Sequence, residues 1–148
     1  MNRIIYNILL ADDDEEDSSF FQIALDELFF PAKLNVVRNG VQLLSYLKSK
    51  SSPVIDILFL DLNLPLKSGV ECLEEIRNDQ NLKKLLIAIF STSFHLEYID
   101  NLYKMGATFY IQKPGDFSKF KKVIQKALVN SAQIDNLQPK REDFIIKP

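Results

Sequence analysis

The chain has one cysteine, Cys72, so no disulfide can form within it, and a reducing compartment is the simplest fit. It has one histidine, His95, too few for a multi-histidine metal site, and no Ser-His-Asp arrangement is evident around it. No apolar run approaches the ~20 residues of a membrane span. The start, Met1 to Tyr6, is too short in apolar content for a signal peptide, so the expectation is a soluble, cytoplasmic protein without membrane attachment. Positive charge is not in excess. With 18 Lys and Arg against 20 Asp and Glu, the formal net charge is −2, and nothing in it suits a nucleic-acid partner. Repeats and low-complexity segments are also missing.

What is present is a patterned globular chain. Its 148 residues are 47% apolar, enough for one core and too many for a disordered polymer. Five short apolar runs, at 4–10, 33–37, 55–60, 85–90 and 108–112, alternate with stretches of helical periodicity. Most of the runs are apolar without alternation, which is how a strand reads when helices cover both its faces. Helices are expected around Phe21, Leu25 and Leu28; around Leu43, Leu44 and Leu47; around Val70, Leu73 and Ile76; around Ile99 and Leu102; and around Phe120, Val123 and Ile124. Asp116 is placed to cap the last of them. The alternation predicts an α/β fold, a (βα)5 three-layer sandwich with a parallel sheet. The domain is expected over residues 1–130. Periodicity stops at Ser131, so residues 131–148 read as a C-terminal tail, with no helix-turn-helix or catalytic output module after the sandwich. A terminus frays by default. Phe144-Ile145-Ile146 would nonetheless be costly to leave wet, and an added strand is the alternative.

Ligands of an open parallel sheet sit at the carboxyl ends of its strands. The first run delivers Asp12 and Asp13 there, the third Asp61, the fourth Ser91 and Thr92, and the fifth Lys113-Pro114. Two like charges ~4 Å apart repel by about 4 kcal/mol at an effective dielectric near 20. Three carboxylates therefore need compensation, of which Lys113 supplies one charge and a divalent cation would supply two. All-oxygen ligands favour Mg²⁺. A carboxylate beside such a cation and a lysine is a competent nucleophile toward a phosphoryl group, whose transfer is mostly positioning and charge stabilisation.

Ile8-Leu9-Leu10-Ala11-Asp12-Asp13-Asp14, Asp61-Leu62-Asn63-Leu64-Pro65 with Gly69, Ser91, and Tyr110-Ile111-Gln112-Lys113-Pro114 together resemble the receiver domain of two-component response regulators, over roughly Arg3 to Leu128. The resemblance implies a flavodoxin-like sheet of order 2-1-3-4-5. It implies Asp61 as phosphoacceptor, and Asp13, Asp61 and the Asn63 carbonyl as Mg²⁺ ligands, with Asp12 holding the metal through water. Ser91 resembles the switch hydroxyl, Tyr110 the aromatic that swings inward on activation, and Lys113 the phosphate-pairing lysine; a cis Lys113–Pro114 bond is usual. The implied partners are a sensor histidine kinase or histidine phosphotransfer protein. A role as relay intermediate, passing the phosphoryl group on to such a protein, is the alternative. Family members also dock or form homodimers through the face of the fourth helix, fifth strand and fifth helix. Asp61 to Gly69, Ser91-Thr92-Ser93 and Pro114-Gly115-Asp116-Phe117 look like the lone receivers found beside phytochrome-type sensor kinases.

Competing readings are weaker. Asp14 to Asp17 suit a helix N-terminus and solvent. Phe94 and Tyr98 read either as an extension of the core or as an exposed partner surface. An aspartyl-phosphate phosphatase of the haloacid dehalogenase type needs a second acid two residues after its nucleophile, and position 63 is asparagine. A flavodoxin-like nucleotide binder would need a Ser/Thr/Gly-rich loop where this chain places acids.

Overall fold

The computed structural model describes residues 5–148. Residues 1–4 lie outside, and with them the first residue of the first predicted strand and most of the segment considered as a leader. The elements are β1 (Tyr6–Ala11), α1 (Glu15–Leu28), β2 (Ala32–Val37), α2 (Gly40–Lys48), β3 (Ile57–Leu60), α3 (Gly69–Asn78), β4 (Ile87–Ser91), α4 (Leu96–Lys104), β5 (Phe109–Gln112), α5 (Phe117–Gln133) and β6 (Ile145–Ile146). The strands form one parallel sheet in the order β2-β1-β3-β4-β5-β6. The expected order 2-1-3-4-5 holds, with a sixth strand added beyond β5. Strand ends move by one or two residues: the run at 55–60 becomes Ile57–Leu60, and that at 85–90 becomes Ile87–Ser91.

Burial on both sheet faces explains the unbroken apolar runs. Leu9, Leu58, Leu60, Ile87 and Ile89 pack with Leu43, Leu73, Ile76, Ile99 and Leu102 under α2, α3 and α4. Their neighbours Ile8, Leu10, Phe59, Ala88 and Phe90 point the other way, onto Phe21, Ala24, Val123 and Ile124 of α1 and α5. Phe21 meets Phe59 edge-to-face with centroids 4.8 Å apart, and Phe90 meets Phe120 in the same way at 5.4 Å. Cys72 is fully buried in the first of these layers, and burial pushes its thiol up to about 11, so it is an inert core group.

Helix starts follow local chemistry. Asp14 accepts from the amides of Glu16 and Asp17, Asn39 caps α2, Ser68 and Glu71 form a capping box on α3, and Asp116 caps α5 as expected. α1 ends less comfortably: Phe29 sits in the left-handed region at φ 53° with 90% of its surface exposed. A left-handed L-residue costs ~1–2 kcal/mol, of which glycine's extra backbone entropy returns only part. Phe29→Gly is therefore expected to raise the melting temperature by a few degrees. A fall would mean that the exposed ring makes a stabilising contact.

The C-terminal segment does not fray. After α5 the chain returns along α4, makes a 3-10 turn at Arg141–Asp143 and pairs β6 with β5 in parallel. Phe144 is fully buried and Ile146 nearly so, which removes from water the apolar surface that would make a loose end costly. Among the described residues no helix is long and apolar enough to cross a membrane.

Candidate functional site

Parallel pairing extends one residue past the strands and sets the site's main chain. The Asp12 amide donates to the Val37 carbonyl (3.1 Å), that of Asp61 to Ala11 (3.0 Å) and that of Lys113 to Ser91 (2.7 Å). Asp12, Asp61, Ser91 and Lys113 are thus held at one sheet edge although they are up to about a hundred residues apart in sequence. Gly69 sets how closely α3 approaches. A Cβ there would lie 2.4 Å from the Asp61 carbonyl oxygen and 2.7 Å from Leu62 Cα, so only glycine fits.

Lys113 is the hub. Its Nζ lies 2.8 Å from Asp61 Oδ2, 3.0 Å from Asp12 Oδ2 and 2.9 Å from Asp17 Oδ2, and 5.3 Å above the Phe90 ring. Burial alone would lower its pKa, but hydrogen bonds to Asp61 and Asp17 outweigh this and hold the ammonium above its ordinary range. Asp17 corrects the expectation that it faces solvent. Asp14 is the cap, so Asp17 falls one turn along the helix, on the side facing the strand ends. Asp14, Glu15 and Glu16 are exposed as expected. The Lys113–Pro114 bond is a second correction: it is trans, the lower-energy form, as are all described peptide bonds, and Lys113 reaches the carboxylates without a cis bond.

Asp12 and Asp61 are buried and Asp13 is exposed, and one carboxylate oxygen from each lies within 4.8 Å of the others. Burial is the main reason that the Asp12 carboxyl is pushed up to about 6. Four acids around one ammonium leave three negative charges uncompensated, one more than the sequence implies. That donor set, all oxygen and open to water on the Asp13 side, suits a divalent cation. Binding would drive off any proton on Asp12. Asp61 is further fixed by the Asn63 amide, which donates to its Oδ1 at 3.0 Å.

Ser91 ends β4 buried, its Oγ accepting from the Ser93 amide at 3.2 Å. Tyr110 is already turned inward. It is fully buried, its phenol donates to the Ser93 carbonyl, and burial pushes its pKa up. Phe94 and Tyr98 do not extend the core: each is 40% exposed, while Ile99 and Leu102 beside them are wholly buried. Tyr98 instead lines a shallow cleft with Asn63, Ser91, Ser93 and His95.

This architecture has known relatives. The family model for the response regulator receiver domain matches residues 8–125. The response regulator Rcp1 of the cyanobacterium Synechocystis is 29% identical over 122 residues, spanning 80% of this chain and 83% of that protein. The crystal structure of the Mn²⁺-bound form of Rcp1 superposes with a TM-score of 0.78 at 26% identity, covering 88% of this chain and 98% of the other. That of the phosphorylated cyanobacterial phytochrome response regulator RcpA does so with a TM-score of 0.79 at 29% identity, covering 86% and 94%.

Proposed function

The chain belongs to the response regulator receiver family, and from that premise we propose that Asp61 is the residue on which this phosphoacceptor regulator carries its phosphoryl group. The observation that supports the assignment is the single ammonium of Lys113 bridging Asp61, Asp12 and Asp17 at a sheet edge that also presents Asp13 and Ser91. Asp61 is the nucleophile, and Lys113 balances charge on the phosphoryl oxygens. The Ser91 hydroxyl donates to one of those oxygens, drawing the β4–α4 loop inward and holding Tyr110 beneath it.

Asp13, Asp61 and the Asn63 carbonyl would hold Mg²⁺ directly and Asp12 through water; when bound, the ion supplies charge neutralisation at the phosphoryl group. That Rcp1 has an Mn²⁺-bound form supports divalent-ion binding by this chain too, and the Asp12, Asp13 and Asp61 oxygens are the donor set that suits it. The donor is a sensor histidine kinase or a histidine phosphotransfer protein. β6 covers the β5 edge of the face formed by α4, β5 and α5, so the part of that face left open to a downstream partner or a second copy of the chain is the start of α4, where Phe94 and Tyr98 are exposed.

Incubation with acetyl phosphate tests the assignment. Intact-mass spectrometry should show one added phosphoryl group in Mg²⁺ and none after chelation. Uptake that ignores chelation, or more than one group, would rule out this site as the acceptor.

A further inference from the structure

Residues 138–147 form a strap across the outer edge of the sheet. Gln138 Nε2 donates to the Tyr103 and Ala107 carbonyls (2.6 and 2.7 Å) at the end of α4, and the Tyr103 hydroxyl donates to the Pro139 carbonyl (2.7 Å). Arg141 bonds Asp100 of α4 at 2.7 Å through its Nε and lies over the Phe144 ring at 5.7 Å. Phe144 then inserts fully, its ring 5.0 Å from that of Tyr103 and 6.4 Å from that of Tyr110. Its carbonyl accepts from the Tyr110 amide at 2.9 Å, and Lys126 of α5 closes the strap on the Lys147 carbonyl at 2.8 Å.

Tyr110 therefore has two sets of contacts. On one side its phenol bonds Ser93, whose amide bonds the Ser91 hydroxyl beside Asp61. On the other, its ring and amide hold Phe144. Rotating Tyr110 outward would break the bond to Ser93 and the ring contact with Phe144 in one motion. The strap consequently interacts more favourably with the inward state than with the outward one, which is the condition for it to shift their populations.

We propose that the strap is a ligand of the switch supplied by the chain itself: it docks on the inward state of Tyr110, and so it and the phosphoryl group at Asp61 stabilise each other. This rests on the reading of Asp61 and Ser91 given above. Coupling of this kind is reciprocal: whatever factor the phosphoryl group adds to strap docking, the strap adds to phosphoryl affinity. The strap is thus a built-in bias toward the activated form. It also covers the β5 edge, so a partner that needs that edge must displace β6.

Hydrogen exchange on the full chain, with beryllofluoride and Mg²⁺ as the phosphoryl mimic, tests this, because the Tyr110 amide reports directly on β6. Exchange at Tyr110 and Ile146 should slow by roughly fivefold or more on adding the mimic. Phe144→Ala should weaken beryllofluoride binding by a matching factor. Arg141→Ala, which removes the exposed ion pair with Asp100 and the cation's contact over the Phe144 ring but leaves Phe144 itself in the core, should shift it in the same direction but less. If fluorine resonance shows the mimic bound while exchange at the strap is unchanged, the strap is only a structural edge strand and the coupling is refuted. If neither the mimic nor acetyl phosphate modifies Asp61, the reading of the site fails, and the coupling falls with it.

Discussion

Asp61→Asn is expected to take up no phosphoryl group from any donor while folding at least as well as the parent chain. The amide oxygen is no nucleophile at neutral pH, and the variant leaves Asp12 and Asp13 as the only other acids in the cluster of possible metal ligands. Neither can substitute. Asp12 is wholly buried and receives the Asp14 amide at 2.9 Å as well as Lys113, and Asp13 is exposed and makes no ion pair with Lys113 among those of the described residues. The stability side follows from charge. Lys113 is a single cation facing three close carboxylates, with Asp13 nearby, so removing one negative charge relieves repulsion on the order of 1–4 kcal/mol at effective dielectrics between water and protein. The new amide also presents N–H groups toward an ammonium, which offsets part of that gain. Mass spectrometry after acetyl phosphate treatment checks the chemistry, and a thermal melt without metal checks the fold. A phosphoryl group remaining on the variant would move the acceptor elsewhere, and a melt several degrees below the parent would mean that the carboxylate holds the edge together.

Most of this edge is legible in the sequence, because its parts sit at the ends of runs that announce themselves. Ile57–Leu60 is followed at once by Asp61, and Tyr6–Ala11 by Asp12, so locating the strands locates the acids. The fully apolar character of β3 and of most of β1 and β4 is a direct signal of helices on both faces. Three features stay hidden, each for a physical reason. Asp17 is one of six consecutive acids, and only the phase of the helix set by the Asp14 cap decides which of them turns back to Lys113. Tyr110 is inward because of a hydrogen bond to a main-chain carbonyl seventeen residues away, which no spacing reveals. The strap has only Phe144-Ile145-Ile146 as its apolar content, too short for any periodicity, and what fixes it is the edge of β5 that it pairs with. Its one sequence signal is the cost of leaving those three side chains in water.

Lys113→Met should show what the lysine does that a metal cannot. The side chain is 10% exposed and its partners Asp12 and Asp61 are at most 8% exposed, so this ion cluster is largely desolvated. Breaking a buried pair by removing one partner costs about 3–5 kcal/mol, since the remaining charge is left uncompensated. Here at least two remain. Without metal, the variant should therefore melt well below the parent, and the deficit should shrink at lower pH as Asp12 protonates, which in the variant happens above the parent's value of about 6 because Lys113 no longer lowers it. The sign follows from the raised pKa: the destabilising ionised form dominates above it and fades below it. Mg²⁺ should recover more stability in the variant than in the parent, because the ion no longer competes with an ammonium for the same oxygens. Phosphoryl uptake should not recover. Loss of one charge-stabilising group at a reacting centre costs about 10²–10³ in rate, and a single divalent ion at the Asp13 side cannot also occupy the position between Asp61, Asp12 and Asp17. Melting curves with and without Mg²⁺, paired with uptake rates, separate the two roles. Equal Mg²⁺ stabilisation in variant and parent would show that metal and lysine do not share ligands. Full uptake by the variant would remove Lys113 from the chemistry.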